Sequence, residues 1–232
     1  MVSSGEHRVN KSDVRMLAPI YGPEKVICIG MNYVDHCTEQ NMPVPTEPLI
    51  FNKFPSCIIA PGEGINCDKE TAELDFEVEL AVVIGKTVPR HTSEADAGKY
   101  IAGYTVAHDV SARDWQLQKN GGQWLLGKTF DTYAPLGPAI VTPDELDLAD
   151  LRVTCRLNGK TVQDSSTKQL VFSPQQCIAW IAQFCTLKPG DVIQTGTPPG
   201  VGCFRKPQLW MKAGDVCECE IEGIGSISNP IV

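Results

Sequence analysis

No block of lysine and arginine runs through this 232-residue chain, and its formal net charge is −8, so nucleic acid is not expected as a partner. No apolar run approaches the roughly 18 residues that a membrane-spanning helix needs, and no membrane partner is expected either. There is no C-x-x-C pair and no secretory signal. The ten cysteines therefore read as reduced thiols of a cytosolic or mitochondrial-matrix protein, not as a disulfide framework. They lie in hydrophobic contexts such as Val26-Ile27-Cys28-Ile29. Cys217 and Cys219 share one face of an expected strand, which is a packing pattern, and zinc held by cysteine is not expected from that spacing. The stretch Met1 to Asn10 lacks both the apolar h-region of a signal peptide and the Arg-rich amphipathic helix of a transit peptide. Residues 1–20 read as a loose tail. No repeat, low-complexity segment or long linker interrupts residues 21–232, which are expected to form one catalytic domain. With 42% hydrophobic residues, that length can bury a sizeable core.

What the chain does contain is many short strand signals and few helical ones. The segment Leu74-Asp75-Phe76-Glu77-Val78-Glu79-Leu80 alternates strictly, placing three carboxylates on one side of a strand. Neighbours two apart on such a face lie about 6–7 Å apart. At an effective dielectric near 20, each adjacent pair repels by roughly 2–3 kcal/mol. The apolar run Leu80-Ala81-Val82-Val83-Ile84 that follows places these carboxylates at the mouth of a core, where a hard cation such as Mg²⁺, Mn²⁺ or Ca²⁺ would relieve the repulsion. A solvated acidic face on a half-exposed strand is the other reading. Further strands are expected at Val26 to Ile29, Leu49 to Phe51, Cys57 to Ile59, Ile101 to Asp109, Arg152 to Leu157, Lys160 to Val162, Val192 to Gln194 and Val216 to Ile221. Asn158-Gly159 marks a hairpin. Helices are expected over 93–100 and 174–184, with another starting at Ser111 and Asp114 in a capping-box-like spacing. This distribution argues for a mainly β, α+β fold of roll or barrel type, not a doubly wound sheet.

Chemistry-bearing residues gather around these elements. Asp109 falls where a strand ends, and with Glu77 and Glu79 it would complete a three-carboxylate metal site. His36 and Glu39 are three apart, so one short helix presents both on the same face. A carboxylate beside an imidazole orients it and raises its basicity, although exposed pairs of this kind are common. Pro43, Pro45 and Pro48 then enforce an irregular connection, which makes residues 33–48 a candidate lid. Arg113 and Gln116 are likewise three apart. Lys128 lies in the apolar run Leu125-Leu126-Gly127-Lys128-Thr129-Phe130, where it either faces the acidic cluster or a substrate carboxylate, or snorkels to the surface. Thr195 to Gly202 is a Gly/Pro-rich loop able to offer backbone N–H groups to an anion. It lacks the Lys-Ser/Thr ending of a nucleotide-binding P-loop.

Together, these stretches resemble the fumarylacetoacetate hydrolase family, from about Val26 to the C-terminus. The resemblance rests on Gly30-Met31-Asn32-Tyr33-Val34-Asp35-His36, Asp75 to Leu80, Asp109-Val110-Ser111-Ala112-Arg113-Asp114, Gly127-Lys128-Thr129-Phe130 and Thr195-Gly196-Thr197-Pro198. Val34 to Cys37, Asp114 to Leu117 and Gln123 to Lys128 look closest to the subgroup named for fumarylacetoacetate hydrolase domain-containing protein 2. The resemblance implies a mixed β-roll of the fumarylacetoacetase C-terminal-domain type, usually a homodimer. It further implies Mg²⁺, with Mn²⁺ or Ca²⁺ as alternatives, held by Glu77, Glu79 and Asp109. His36, Glu39 and Lys128 match the catalytic positions. Asn32, Tyr33, Arg113, Gln116 and Thr197 match substrate-side positions. The implied substrates are small, enolisable 2-oxo acids. Oxaloacetate keto–enol tautomerisation leads, acylpyruvate or fumarylacetoacetate-like C–C hydrolysis follows, and oxaloacetate decarboxylation is third. Members of this subgroup carry a further N-terminal segment with an organelle-targeting sequence, which is nearly absent here. The resemblance thus implies the mitochondrial matrix, with the cytoplasm as the expectation if the short N-terminus is native.

Overall fold

Short runs of Val, Ile and Leu, broken every few residues by Gly, Pro or Asn, favour strands over helices. The computed structural model describes residues 8–10 and 13–232. Of the expected tail, residues 1–7 and 11–12 lie outside the described residues. The strands in chain order are β1 (Val26–Gly30), β2 (Leu49–Lys53), β3 (Ile58–Ile59), β4 (Leu74–Asp75), β5 (Val78–Ile84), β6 (Ile101–His108) and β7 (Ser111–Ala112). They continue with β8 (Ala134–Val141), β9 (Arg152–Leu157), β10 (Lys160–Ser166), β11 (Val192–Gln194), β12 (Val216–Ile221) and β13 (Gly225–Pro230). The α-helices are short: α1 (Val34–Glu39), α2 (Glu94–Ala97), α3 (Leu125–Lys128) and α4 (Pro174–Ile181). No helix among the described residues is long and apolar enough to cross a membrane.

A seven-stranded mixed sheet runs β2-β1-β11-β5-β6-β8-β3, with β1–β11 and β3–β8 parallel and the other neighbours antiparallel. An antiparallel sheet, β10-β9-β12-β13, packs against β5 and β6. The expected hairpin at Asn158-Gly159 joins β9 to β10, and Asn158 takes the positive φ of 51° that this turn requires. The main apolar cluster draws Leu80 and Val82 from one sheet, Val153 and Ile221 from the other, and Ile178 from α4. The mainly β roll expected from the sequence is the architecture observed.

Three local expectations change. The alternating run 74–80 is not one strand: it breaks at Phe76-Glu77 between β4 and β5, and every residue from Leu74 to Ile84 is buried. Its acidic side is therefore not solvated: Gly202 and Cys203 close over Asp75, Arg113 and Lys128 over Glu77, and Gly196 over Glu79. Ser111 does not begin a helix. It pairs with Asp75 as part of β7, and a π-helix follows at Asp114–Gln118. A π-turn widens the helix and often marks a functional site. The helix expected at 93–100 is only α2 followed by a 3₁₀ turn, with the Ser93 hydroxyl donating to Asp96 instead of capping backbone N–H groups.

Gly127 lets α3 lie directly on the π-helix. A Cβ there would stand 2.6 Å from the Gln116 nitrogen and 2.7 Å from the Ala112 oxygen, well inside contact distance. Gly127→Ala should therefore cost about 1–3 kcal/mol by overpacking and lower the melting temperature by several degrees, read by calorimetry. An unchanged transition would show that the two segments do not pack this closely.

Candidate active site

The break in the strand between β4 and β5 sets up the site. It turns Glu77 out of the regular ladder while Glu79 stays on β5, and the end of β6 delivers Asp109 beside them. One oxygen from each of Glu77, Glu79 and Asp109 lies within 4.8 Å of the others, and all three residues are buried. Asp75, the remaining acid of the alternating run, points elsewhere. It accepts from Arg113 Nε at 2.7 Å and from the backbone N–H groups of Gly202 and Cys203.

Buried carboxylates need cations, and three are supplied. Arg113 donates through Nη2 to Glu77 Oε1 at 2.5 Å and through Nη1 to Gln116 Oε1 at 2.8 Å. Lys128 spends all three of its N–H donors, on Glu77 Oε2 at 2.7 Å, Asp109 Oδ2 at 2.8 Å and the Ser111 hydroxyl at 2.6 Å. Lys53 places its ammonium 2.7 Å from Asp109 Oδ1, but its hydrogen bonds go to the Val110 and Lys128 carbonyls. Asp109 Oδ1 is thus near a charge yet receives no hydrogen bond among the described residues.

The consequences differ sharply between the two glutamates. Burial pushes the Glu77 carboxyl up, but Arg113 and Lys128 more than reverse this and hold it well below the usual range. Burial also pushes up Glu79, and there Asp109 and Glu77 add to the effect by repulsion. The Lys128 charge and the Gly196 N–H, 2.7 Å from Glu79 Oε2, offset this only in part. That N–H is presented by a loop residue at φ +98°, where a Cβ would also meet Asn32 Cβ at 2.8 Å, so only glycine fits. Four carboxylates face three cations, and Glu79 is the one left over. An oxygen-only donor set, a carboxylate without a cationic partner among the described residues and an orphaned Asp109 oxygen fit a hard divalent ion.

Across from the carboxylates, α1 carries the histidine pair. His36 Nδ1 lies 3.0 Å from Glu39 Oε2, and Glu39 Oε1 accepts from the Gly200 N–H. Gln40 brings its amide nitrogen to 2.7 Å from His36 Nε2, and Phe204 packs edge-on against the ring. A cavity of about 270 Å³ is lined by His36, Gln40, Glu77, Glu79, Arg113, Gln116, Lys128 and Thr197, with apolar walls from Met31, Met42, Phe51, Leu117, Trp124 and Phe204.

Most of the residues singled out in the sequence meet at or beside this cavity. Two do not line it. Asn32 is fully buried and ties its amide to the Phe172 backbone and the Thr195 carbonyl. Tyr33 is buried with its hydroxyl unpartnered. Thr197 reaches the cavity, although its hydroxyl donates to the Val78 carbonyl and accepts from Gln163. Sequence reasoning passed over Lys53, Ser111 and Gln40. Of these only Lys53, a charge closing an apolar strand, left a signal of the kind that flagged Lys128.

A buried carboxylate cluster and a histidine backed by a glutamate thus meet at one cavity of a mainly β roll, the frame of an enzyme site. The chain belongs to the fumarylacetoacetate hydrolase family, whose C-terminal domain description matches residues 25–232. It is 59% identical over 232 residues to a Xenopus laevis protein named oxaloacetate tautomerase fahd2, mitochondrial, covering 100% of this chain and 72% of that one. It is 57% identical over 223 residues to human oxaloacetate tautomerase FAHD2A, mitochondrial, covering 96% and 71%. Among solved structures, a fumarylacetoacetate hydrolase from Exiguobacterium antarcticum superposes with a TM-score of 0.86 at 39% identity, over 98% of this chain and 84% of that one. A 5-carboxymethyl-2-hydroxymuconate delta-isomerase from Mycobacterium smegmatis gives 0.85 at 40% identity, over 96% and 83%.

Charge pairing decides which ligand variant is informative. Glu77→Gln strands two buried cations and should destabilise the fold. Glu79→Gln removes the acid that has no cationic partner, so it should keep the melting temperature of the metal-free protein while weakening Mg²⁺ or Mn²⁺ binding at least tenfold. Titration calorimetry with each ion reads the affinity. Unchanged affinity would remove Glu79 from the ligand set.

Proposed function

We propose that this protein is a divalent-metal-dependent oxaloacetate keto–enol tautomerase, with Glu77, Glu79 and Asp109 as metal ligands. The observation that carries this reading is the placement of His36, oriented by Glu39, across one cavity from a buried carboxylate triad. The close relatives named oxaloacetate tautomerase support the choice of substrate. When bound, Mg²⁺ or a similar ion supplies Lewis acidity toward the 2-oxo acid head of the substrate.

The residues divide the remaining work. Glu39 accepts from Nδ1–H of His36, which fixes the tautomer and leaves Nε2 as the base for the C3 proton. The Gln40 amide that now meets Nε2 gives way to substrate. Lys128 and Arg113 place fixed positive charge beneath the position where negative charge develops on the 2-oxo oxygen. Because Arg113 engages Gln116 through the amide oxygen, the amide nitrogen of Gln116 is the group offered to a substrate carboxylate. Thr197 lines the same cavity with its hydroxyl held by Val78 and Gln163, so it shapes the substrate space. The expected roles of Asn32 and Tyr33 become indirect: Asn32 anchors the chain from which α1 departs, and Tyr33 packs beneath it. The stretch after α1 exposes Met42 and Val44 and is kept irregular by Pro43, Pro45 and Pro48, which supports residues 33–48 as the lid.

A second reading has its own support. The cavity walls formed by Met31, Met42, Phe51 and Trp124 exceed what a four-carbon diacid needs, which favours hydrolysis of acylpyruvates with an apolar tail. Oxaloacetate decarboxylation has no such feature behind it. The relatives named mitochondrial favour the matrix over the cytoplasmic alternative.

Enol-oxaloacetate absorbance, followed with Mg²⁺ and with chelator while pyruvate is quantified, tests the assignment. Fast metal-dependent loss of enol without pyruvate is expected, and His36→Ala should slow it by about 10²–10⁴-fold. No acceleration over buffer would transfer the assignment to acylpyruvate cleavage.

The homodimer is part of the same proposal. Strand β2 lies at an edge of the large sheet and exposes Leu49 and Ile50 by 40% and 42%, with Phe54 beyond it at 45%. An apolar edge of this kind is covered when a second copy pairs with it. Ile50→Glu should convert a dimer to a monomer in light scattering, whereas a wild-type monomer would remove the interface.

A further inference from the structure

Behind the active site, the strand that carries Asp109 meets a second, chemically different cluster. Cys217 and Cys219 are two apart on β12, so their thiols share a face, and antiparallel pairing with β9 sets Cys155 directly opposite Cys219. That face turns inward against the other sheet, where His108 ends β6. Cys155, Cys217, Cys219 and His108 are all no more than 1% exposed. Cys155 Sγ and Cys217 Sγ are 3.5 Å apart, and Cys217 Sγ is 3.9 Å from His108 Nε2. Donor atoms of His108, Cys217 and Cys219 all lie within 4.8 Å of one another.

His108, Cys217 and Cys219 have the mutual spacing of three corners of a tetrahedral site, and Cys155, outside that group but 3.5 Å from Cys217, is the sulfur that a small side-chain shift brings to the fourth corner. A zinc ion with Zn–S bonds of about 2.3 Å places its sulfur donors about 3.8 Å apart along the tetrahedral edges. Three sulfurs and one imidazole nitrogen are a structural zinc donor set, soft where the Glu77–Glu79–Asp109 set is hard. No disulfide occupies the thiols.

We propose that Cys155, Cys217, Cys219 and His108 form a structural site for zinc, or a cation of similar softness, that clamps the two sheets together behind the catalytic centre. Binding releases one proton from each of the three thiols and requires His108 to be neutral. Consecutive residues on β6 then serve two different metals: His108 faces the sulfur cluster and Asp109 faces the carboxylates. The proposal does not depend on which 2-oxo acid is the substrate.

The test is to express the full chain in cobalt-supplemented medium, treat it with EDTA, and record its absorption spectrum and metal content. One retained cobalt per chain with thiolate-to-cobalt charge-transfer bands in the near ultraviolet is the expected result. Those bands should disappear in Cys217→Ser and in Cys155→Ser and survive in Glu79→Gln, which touches only the hard-metal site. A wild-type spectrum without the bands, or bands that persist unchanged in Cys217→Ser, would overturn the proposal and leave the four residues as packing. The wild-type spectrum is decisive by itself, so a variant that fails to fold does not blunt the test.

Discussion

Burial of four carboxylates against three cations is the constraint on which the rest of this protein depends. Taking an ion out of water costs several kcal/mol even after relaxation, and removing one partner from a buried pair costs about 3–5 kcal/mol. Every oxygen and ammonium in the cluster must therefore be placed by the fold. Lys128 meets that demand by spending all three donors inside the site, and Arg113 does so by spanning Asp75, Glu77 and Gln116. Several features of the backbone follow from this network. The strand breaks at Phe76-Glu77, Gly196 takes a positive φ, and Gly127 admits α3 against the π-helix.

The same network separates two residues that look equivalent. Glu77 and Glu79 are two apart, identical in type and both buried, yet one is hydrogen-bonded by a guanidinium and an ammonium while the other, among the described residues, is hydrogen-bonded by a backbone N–H. Proteins leave such an imbalance where something else supplies the charge. The floor of the cavity is thus rigid and electrostatically primed. Its roof is the six-residue α1, which Asp35 ties to Ser165 and Glu39 to the Gly200 backbone. A rigid floor holds charge where a reaction needs it, and in the proposed function the proline-rich stretch beyond α1 admits the substrate and then excludes water.

Parts of this were legible along the chain because they obey local rules. The alternation around Glu77 and Glu79, the Asn158-Gly159 hairpin, the short strands and the three-residue spacing of His36 and Glu39 all follow from side-chain period and turn chemistry. Other parts were not. Ser111 and Asp114 have the spacing of a helix cap, but pairing of β7 with β4 outweighs that local preference and gives Ser111 to Lys128 instead. Lys53 sits 75 residues upstream of Lys128 and approaches the same aspartate. Nothing in its own neighbourhood names that partner.

Strand period, turn positions and residue types by themselves determined that this would be a mainly β chain with an acidic, metal-suited strand and a histidine–glutamate pair. Only the tertiary structure decided that Asp75 leaves the acidic set, that Lys53 joins the cluster, and that Asn32 stands behind the cavity wall. It also decided that Cys155 and His108 converge on Cys217 and Cys219. The reason is physical. Backbone preference is settled by neighbours a few residues away, whereas the fate of a buried charge or thiol depends on which distant segment the fold brings within about 3–4 Å of it.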